Sequence, residues 1–140
     1  MGARSKARKR ALDMLYIADV RQSSLSDVLA EESGRATAQP QRSSSWPYAE
    51  EIVQGVIDNG ASIDRLIEDH AVGWTLGRMP AVDRAILRVA VWELVHNAEI
   101  PNAVAIAEAV EFATVLSTDD SSGFVNGVLG AIADDLHRAS

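Results

Sequence analysis

The stretch VDRAILRVAVWELV, residues 82–95, decides the fold of this chain. Its apolar residues cover most faces of a helix with 3.6 residues per turn, and alternating strand patterns are scarce along the whole sequence. Pro80 precedes the stretch and suits the first turn of a helix, while the carboxylate of Asp83 complements the positive end of the helix dipole. We therefore expect a central, deeply buried helix here.

Toward the N-terminus, apolar residues at helical spacing predict a first helix over about 4–22. Ser24, followed by Asp27 three residues later, has the spacing of a capping box and predicts a short second helix that ends near Glu32. Residues 33–45, SGRATAQPQRSSS, lack apolar anchors, so we expect a mobile loop there.

Cap and turn residues divide the rest of the chain into further helices. Besides the central fifth helix, the predicted set is a third from Pro47 to about Asn59, a fourth from about Ser62, a sixth over about 103–117 and a seventh over about 121–136. About seven helices with short connections indicate an all-α bundle. The length suits one domain over residues 1–140.

The composition excludes several kinds of protein. The chain has no cysteine, which excludes disulfides, thiolate metal sites and cysteine nucleophiles. No apolar run approaches the roughly 18 residues that a membrane span needs. The charged N-terminus does not resemble a signal peptide. Together these features predict a cytoplasmic protein that does not enter the membrane.

Charge is distributed unevenly along the chain. The net charge is −7, yet residues 1–10 hold five basic residues and no acidic one, a balance of +5. The remaining 130 residues carry 8 basic and 20 acidic residues, a balance of −12. A basic arm on an acidic body indicates nucleic-acid binding, but it also fits a solubilising tail or the exposed start of a helix. Charge alone leaves these interpretations open.

No motif for catalysis or cofactor binding is present. The sequence lacks GxSxG, GxxxxGK[ST] and GxGxxG. The three histidines, His70, His96 and His137, have no neighbours at metal-ligand spacing. Asp119 and Asp120 could form a carboxylate pair for acid–base chemistry or Mg²⁺, although capping of the last helix is the simpler interpretation. We expect no enzyme activity, no cofactor and no metal.

The basic arm has the chemistry to bind RNA. Single strands are held by cations that contact phosphates and by flat side chains that stack on bases. Tyr16, about two turns beyond Lys9, and Phe124, near the start of the last helix, are the candidates for stacking. Both rings also fit ordinary core packing, which periodicity alone favours.

Four segments, in this order and at this spacing, resemble the NusB family of transcription antitermination factors. They are ARKRALDMLY (7–16), VDRAILRVAVWEL (82–94), VAIAEAVEFA (104–113) and STDDSSGFVNGVLG (117–130). The resemblance extends over nearly the whole chain and omits only the expected loop. It implies two helical subdomains packed across each other, an N-terminal one over about 1–72 and a C-terminal one over about 73–138.

The resemblance also implies a function. Members of this family pair with NusE, a small-subunit ribosomal protein, and together they hold single-stranded BoxA RNA in nascent ribosomal RNA leaders. The complex joins NusA and NusG on RNA polymerase and suppresses termination. Some members self-associate, so a homodimer is a further expectation to test.

The resemblance also implies roles for particular residues. It implies an RNA-binding surface made of Arg4, Lys6, Arg8, Lys9, Arg10, Tyr16, Asp120 and Phe124. Asp83 matches an acidic position on the surface that faces NusE. The chain departs from the family pattern at Lys9, where many relatives have glutamate, and at Asp13, where glutamine is frequent. The second change places a carboxylate near the expected RNA path.

Two other classes of function stay open at this point. NusB-like domains also occur fused before RNA cytosine methyltransferases, but the chain ends at Ser140, and we expect no methyltransferase domain. Alternatively, the acidic body of a helical interaction protein docks a basic partner without any RNA role. Alanine substitutions in the basic arm would distinguish this alternative from RNA binding.

Overall fold

The computed structural model of the protein describes residues 2–39 and 44–139. Within these ranges the chain forms α-helices and one short 3-10 helix, Leu76–Arg78, and contains no strand. The α-helices are α1 Ala3–Arg21, α2 Leu25–Ala38, α3 Trp46–His70, α4 Ala81–His96, α5 Asn102–Leu116 and α6 Ser121–Ala139. The prediction of an all-α fold is confirmed.

Helix α4 is the centre of the bundle, as its apolar sequence predicts. It packs against α1, α3, α5 and α6, while α2 covers α1 and α3. Leu87 and Val91, on α4, have no solvent exposure. Truncating a fully buried leucine such as Leu87 to alanine costs about 2–5 kcal/mol, because the cavity it leaves fills only in part.

One continuous core includes buried residues from all of these helices. The expected boundary between two subdomains, at about residues 72–73, falls in the turn after α3. Gly73 has a φ of +79° there, a backbone conformation that favours glycine. The division into two subdomains stays a prediction, since buried residues on both sides of the turn belong to the same cluster.

The predicted third and fourth helices are a single element, α3, with a kink. Asn59 leaves the helical region, with φ −123° and ψ 19°, but the helix continues beyond it. The Asn59 side-chain amide donates to the carbonyl of Gly55 at 2.8 Å, and the Ser62 hydroxyl donates to the carbonyl of Asn59 at 3.0 Å. This kink accounts for the difference between about seven predicted helices and the six that the described residues form.

Helix α2 begins as predicted and ends later. The Ser24 hydroxyl accepts the backbone N–H of Asp27 at 3.2 Å, which confirms the predicted cap. The helix then continues to Ala38, so residues 33–38 of the expected loop are helical. An ion pair between Arg35 and Glu32, three residues apart, supports this extension. Residues 40–43 of the expected loop lie outside the described residues.

None of the helices in the described ranges is long and apolar enough to cross a bilayer.

Candidate nucleic-acid interface

The basic arm is the first part of α1. The helix begins at Ala3, directly after Gly2 at the N-cap position, so all five cations project from regular helix. A helix sends successive side chains about 100° apart, and the cations therefore have different surroundings. Arg4 and Lys6 are exposed, Lys9 and Arg10 are half-buried, and Arg8 is buried.

Arg8 is an internal residue that is only 3% exposed. Its Nε donates to both carboxylate oxygens of Glu93, at 2.9 and 3.0 Å, and its Nη1 donates to Glu108 at 3.1 Å. Burial alone lowers the pKa of Arg8, but the two carboxylates outweigh this effect and raise it. The structure thereby corrects the expectation that Arg8 offers its charge to RNA, because the guanidinium is enclosed between carboxylates.

Glu93, itself 1% exposed, is the hub of this buried network. Besides Arg8 it accepts a hydrogen bond from the hydroxyl of Tyr48. Burial, reinforced by the Glu93 carboxylate, raises the pKa of Tyr48, so the phenol keeps its proton and donates it. The side-chain amide of Asn97 donates to the same hydroxyl at 3.0 Å. The network ties the arm to α3 and α4 from the inside.

Two cations of the arm reach solvent. Arg4 lies over the ring of Tyr48, 4.6 Å from its centroid, and makes a long 3.5 Å contact with the exposed carboxylate of Glu99. Lys6 is exposed, and its side chain forms no hydrogen bond or ion pair with residues 2–39 or 44–139. Such loosely held charges can be redirected to a phosphate at low cost.

The other two cations of the arm are partly occupied. Lys9 Nζ lies 2.8 Å from Oδ1 of Asp13, an i,i+4 pair at the surface. Asp13 therefore places a carboxylate beside Lys9 of the basic arm. Arg10 donates to the hydroxyl of Ser45 at 3.0 Å and lies 5.0 Å from the ring centroid of Trp46.

Tyr16 is at the surface and 37% exposed. It follows Lys9 by seven residues, two turns of helix, so Lys6, Lys9 and Tyr16 project from the same outward side of α1. Core packing, the alternative favoured by periodicity, does not describe this ring. We call Lys6, Lys9 and Tyr16 the outer stripe of α1.

Phe124 and Asp120 lie together at the start of α6. They line a groove of about 380 Å³ with Trp74, Arg78 and Met79. Phe124 is half-buried against the core and meets the 49% exposed Trp74 edge-on, with ring centroids 6.1 Å apart. Phe124 therefore packs against the core and also lines the groove, while its stacking on an RNA base stays a prediction.

Asp119 and Asp120 lie immediately before α6, which begins at Ser121. Both are exposed, and the backbone carbonyl of Asp120 accepts the N–H of Phe124 at 3.2 Å, which puts Asp120 at the N-cap position of α6. Across residues 2–39 and 44–139, no group of three or more acidic, histidine or cysteine side chains could hold a metal ion.

Asp83 is buried, at 2% exposure, and not on the surface where the resemblance places it. Its carboxylate accepts the hydroxyls of Ser117 at 2.5 Å and Ser121 at 2.9 Å. The hydroxyl of Ser121 also contacts that of Thr118 at 2.8 Å. Asp83 therefore joins the start of α4 to the start of α6, and the expectation of a partner-facing carboxylate at this position is wrong.

The two parts of the expected RNA surface lie toward opposite ends of α4. Arg8 contacts Glu93, whereas the start of α6 contacts Asp83, ten residues earlier, which is about 15 Å along a helix. Helix α1 runs antiparallel to α4, because Asp19 pairs with Arg84 at 2.7 Å. The half of α1 that carries Tyr16 therefore lies toward the end of the bundle that carries Asp120 and Phe124.

Sequence reasoning missed the residues that hold the arm in place, Glu93 and Tyr48. One pattern could have revealed the buried position of Arg8: it shares a helical stripe with Leu12 and Leu15, which follow at i+4 and i+7 and are both buried. A cation on an apolar stripe requires a buried carboxylate as its partner, and Glu93 lies within the central helix α4.

Comparisons with known proteins agree with this architecture. The NusB family model matches residues 5–134. The transcription antitermination protein NusB of Leifsonia xyli subsp. xyli is 64% identical over 138 residues, which span 99% of this chain and 96% of that protein. The structure of T. maritima NusB superposes with a TM-score of 0.82 at 30% identity and covers 94% of this chain and 91% of that one.

A further similar structure is a crystal structure of the antitermination factors NusB and NusE in complex with dsRNA. Its matching chain has a TM-score of 0.81 at 26% identity, and the match covers 95% of this chain and 97% of that one. Family model, sequence and fold agree over nearly the full length of the helical bundle, and the chain belongs to the NusB family.

Proposed function

We propose that this protein is an RNA-binding transcription antitermination factor that acts with NusE on BoxA RNA of nascent ribosomal RNA transcripts. The observation that carries the proposal is the outer stripe of α1, in which the exposed Lys6, the half-buried Lys9 and the exposed ring of Tyr16 share one side of the helix in a member of the NusB family. Cations and an exposed ring on one face are what a single RNA strand requires. The related structure of NusB, NusE and dsRNA supports both kinds of partner.

The RNA strand is proposed to follow α1. Arg4, Lys6, Lys9 and Arg10 contact phosphates, and Tyr16 stacks on a base. Because the Tyr16 half of α1 points to the end of the bundle where α6 starts, a strand that continues in this direction approaches Asp120 and Phe124. These two complete the proposed surface, while Arg8 acts from within by fixing the orientation of the arm.

NusE is proposed to meet the acidic body of the protein. The chain carries a net charge of −7 even with its basic arm, and complementary charge accelerates the encounter with a basic ribosomal protein. Asp83 is not part of this proposed interface, because it is enclosed between α4 and α6. In the cytoplasm the resulting complex joins NusA, NusG and RNA polymerase. A homodimer that covered α1 would compete with RNA.

Binding, rather than catalysis, is the proposed activity, and a binding assay tests it. The full chain is titrated with a BoxA-like single strand, a scrambled single strand and a duplex of the same length, each with and without NusE. We expect the BoxA-like strand to bind most tightly, and NusE to increase that preference. Equal affinity for BoxA-like and scrambled strands, whether or not NusE is present, would show that the protein has no such role.

A further inference from the structure

A second groove, separate from the RNA surface, lies on the outer face of α3. Its volume is about 530 Å³, and its lining includes Glu50, Glu51, Asp58, Gly55 and Trp92. It contains none of the residues proposed to contact RNA. The groove combines an indole N–H without a hydrogen-bond partner in the described residues and an acidic rim. The first can donate to an acceptor of a ligand, and the second can attract cations.

The indole N–H of Trp92 reaches this groove because residue 55 is a glycine. A Cβ atom at Gly55 would lie 1.9 Å from Nε1 of Trp92 and 2.5 Å from its Cδ1. No side chain other than hydrogen therefore fits between α3 and the indole. Trp92, on α4, is 5% exposed and packs at a tilt against Tyr48, with ring centroids 6.2 Å apart.

This N–H has no hydrogen-bond partner among the residues that the structure describes. In the same part of the chain no fully buried side-chain nitrogen or oxygen lacks a partner, so Nε1 of Trp92 is not sealed inside but opens onto the groove. Indole N–H groups of buried tryptophans usually find an acceptor. The groove thus presents an unsatisfied donor on an otherwise buried side chain.

The rim of the groove is negatively charged. Glu50, Glu51 and Asp58 are exposed, and none of them pairs with a cation among residues 2–39 and 44–139. Gln54, between them, donates to Asp58 at 3.0 Å. The rim from Glu50 to Asp58 spans eight residues, about 12 Å along the helix.

We propose that this groove binds an extended, lysine- or arginine-bearing peptide segment of a partner protein. The donor of Trp92 needs an acceptor, which excludes a bare cation. The acidic rim repels anionic acceptors, which excludes nucleic acid and phosphate. A backbone carbonyl flanked by basic side chains meets both requirements: the carbonyl accepts from Trp92 while the cations pair with Glu50, Glu51 and Asp58. About four residues of extended peptide span the 12 Å rim.

The indole resonance of Trp92 reports on this binding directly. The ¹⁵N-labelled full chain is titrated with the probe acetyl-Gly-Lys-Gly-Arg-Gly-Lys-Gly-amide, and the Trp92 cross-peak is identified by its absence from W92F. We expect saturable movement of this cross-peak with the peptide. Spermidine carries the same charge but has no carbonyl, and it should leave the cross-peak in place. No movement with the peptide, or equal movement with spermidine, would overturn the proposal.

Charge-neutralising variants test the acidic rim. The triple variant E50Q/E51Q/D58N should bind the peptide about tenfold more weakly, since three exposed charge pairs are lost. The matched control D27N/E111Q/D134N removes three exposed carboxylates elsewhere and should bind like the wild-type chain. An equal loss in both variants would mean that overall charge alone attracts the peptide, which contradicts a built site.

Discussion

Arg8 and Glu93 form a buried ion pair that joins the start of α1 to the end of α4. Nε of Arg8 lies 2.9 and 3.0 Å from the two carboxylate oxygens of Glu93, and both residues are at most 3% exposed. One cation of the basic arm is thus used for anchoring, while Arg4 and Lys6 face solvent. Taking two charges out of water is costly, and breaking such a pair leaves the other charge uncompensated.

Arg8→Ala is expected to lower the free energy of unfolding by about 3–5 kcal/mol, because Glu93 would remain buried without its cation. Arg4→Ala is the matched control, and it should cost less than about 1 kcal/mol, since the Arg4–Glu99 pair is exposed and long. Urea denaturation of both variants measures the difference. A similar small loss for the two substitutions would contradict the anchoring role of Arg8.

The salt dependence of RNA binding should reflect four phosphate contacts and not five. For a single strand, log affinity then falls with log salt at a slope of about −2.8, against about −3.5 if Arg8 also took part. Lys6→Ala should reduce the magnitude of the slope by about 0.7. Arg65→Ala removes an exposed cation from α3 and should leave the slope unchanged. An unaltered slope in Lys6→Ala would exclude Lys6 from the contact.

Asp13→Asn should strengthen RNA binding by about 1.4- to fivefold. Lys9 Nζ is held 2.8 Å from the Asp13 carboxylate. An RNA phosphate that binds Lys9 must break this ion pair, and an exposed pair of this kind contributes about 0.2–1 kcal/mol. Asp13→Asn removes that cost. Asp27→Asn on α2 changes the net charge equally and serves as the control. Affinity that is unchanged or weaker in Asp13→Asn would show that Asp13 does not restrain the arm.

His70 and Asp135 form a pH-sensitive link between α3 and α6. Burial lowers the pKa of His70, but hydrogen bonds to Asp135 and to the carbonyl of Leu66 outweigh it, so the pKa is raised above the ordinary 6.5. A raised folded-state pKa gives stability that is fully present below the unfolded pKa and is lost as the pH rises through the folded pKa.

Asp135→Asn should therefore destabilise the protein more at about pH 5.5 than at about pH 8.5, because the protonated fraction of His70 falls as the pH rises. Unfolding free energies of the variant and the wild type at both pH values give the comparison. Asp134→Asn, at an exposed position without an ion pair in the described residues, should show no such difference. Equal destabilisation by Asp135→Asn at the two pH values would show that the protonation of His70 does not contribute to the link between α3 and α6.

Elements with a strong local pattern could be predicted from the sequence. The apolar residues of α4 identified the central helix, and the Ser24 cap lies where its spacing placed it. The end of α2 was missed because its last turns face solvent and carry no apolar stripe, although helix-favouring residues and the Arg35–Glu32 pair continue it. The sequence predicted that a helix ends at about Asn59, and the backbone does leave the helical region there. Both halves of α3 pack on the core, however, so the helix continues beyond the kink.

The candidate site was harder to predict, because a polar residue in a sequence does not reveal its partner. The apolar stripe that Arg8 shares with Leu12 and Leu15 indicates burial, but the carboxylate that pairs with Arg8 lies 85 residues away in the sequence. The family resemblance implied that Asp83 faces a partner, yet its carboxylate is buried and accepts the hydroxyls of Ser117 and Ser121. Tyr16 is the opposite case, since periodicity favoured the core and the side chain lies at the surface.

The affinity of a K6A/K9A/Y16A variant for BoxA RNA, measured with NusE present, tests the central claim most directly. The three substitutions remove the outer stripe of α1 and spare the buried Arg8–Glu93 network. We expect the RNA affinity to fall about a hundredfold or more, from two lost phosphate contacts and one lost stacking interaction, while the variant stays folded and its NusE affinity stays unchanged. RNA binding at the wild-type level by the folded variant would contradict the assignment of the RNA surface to α1.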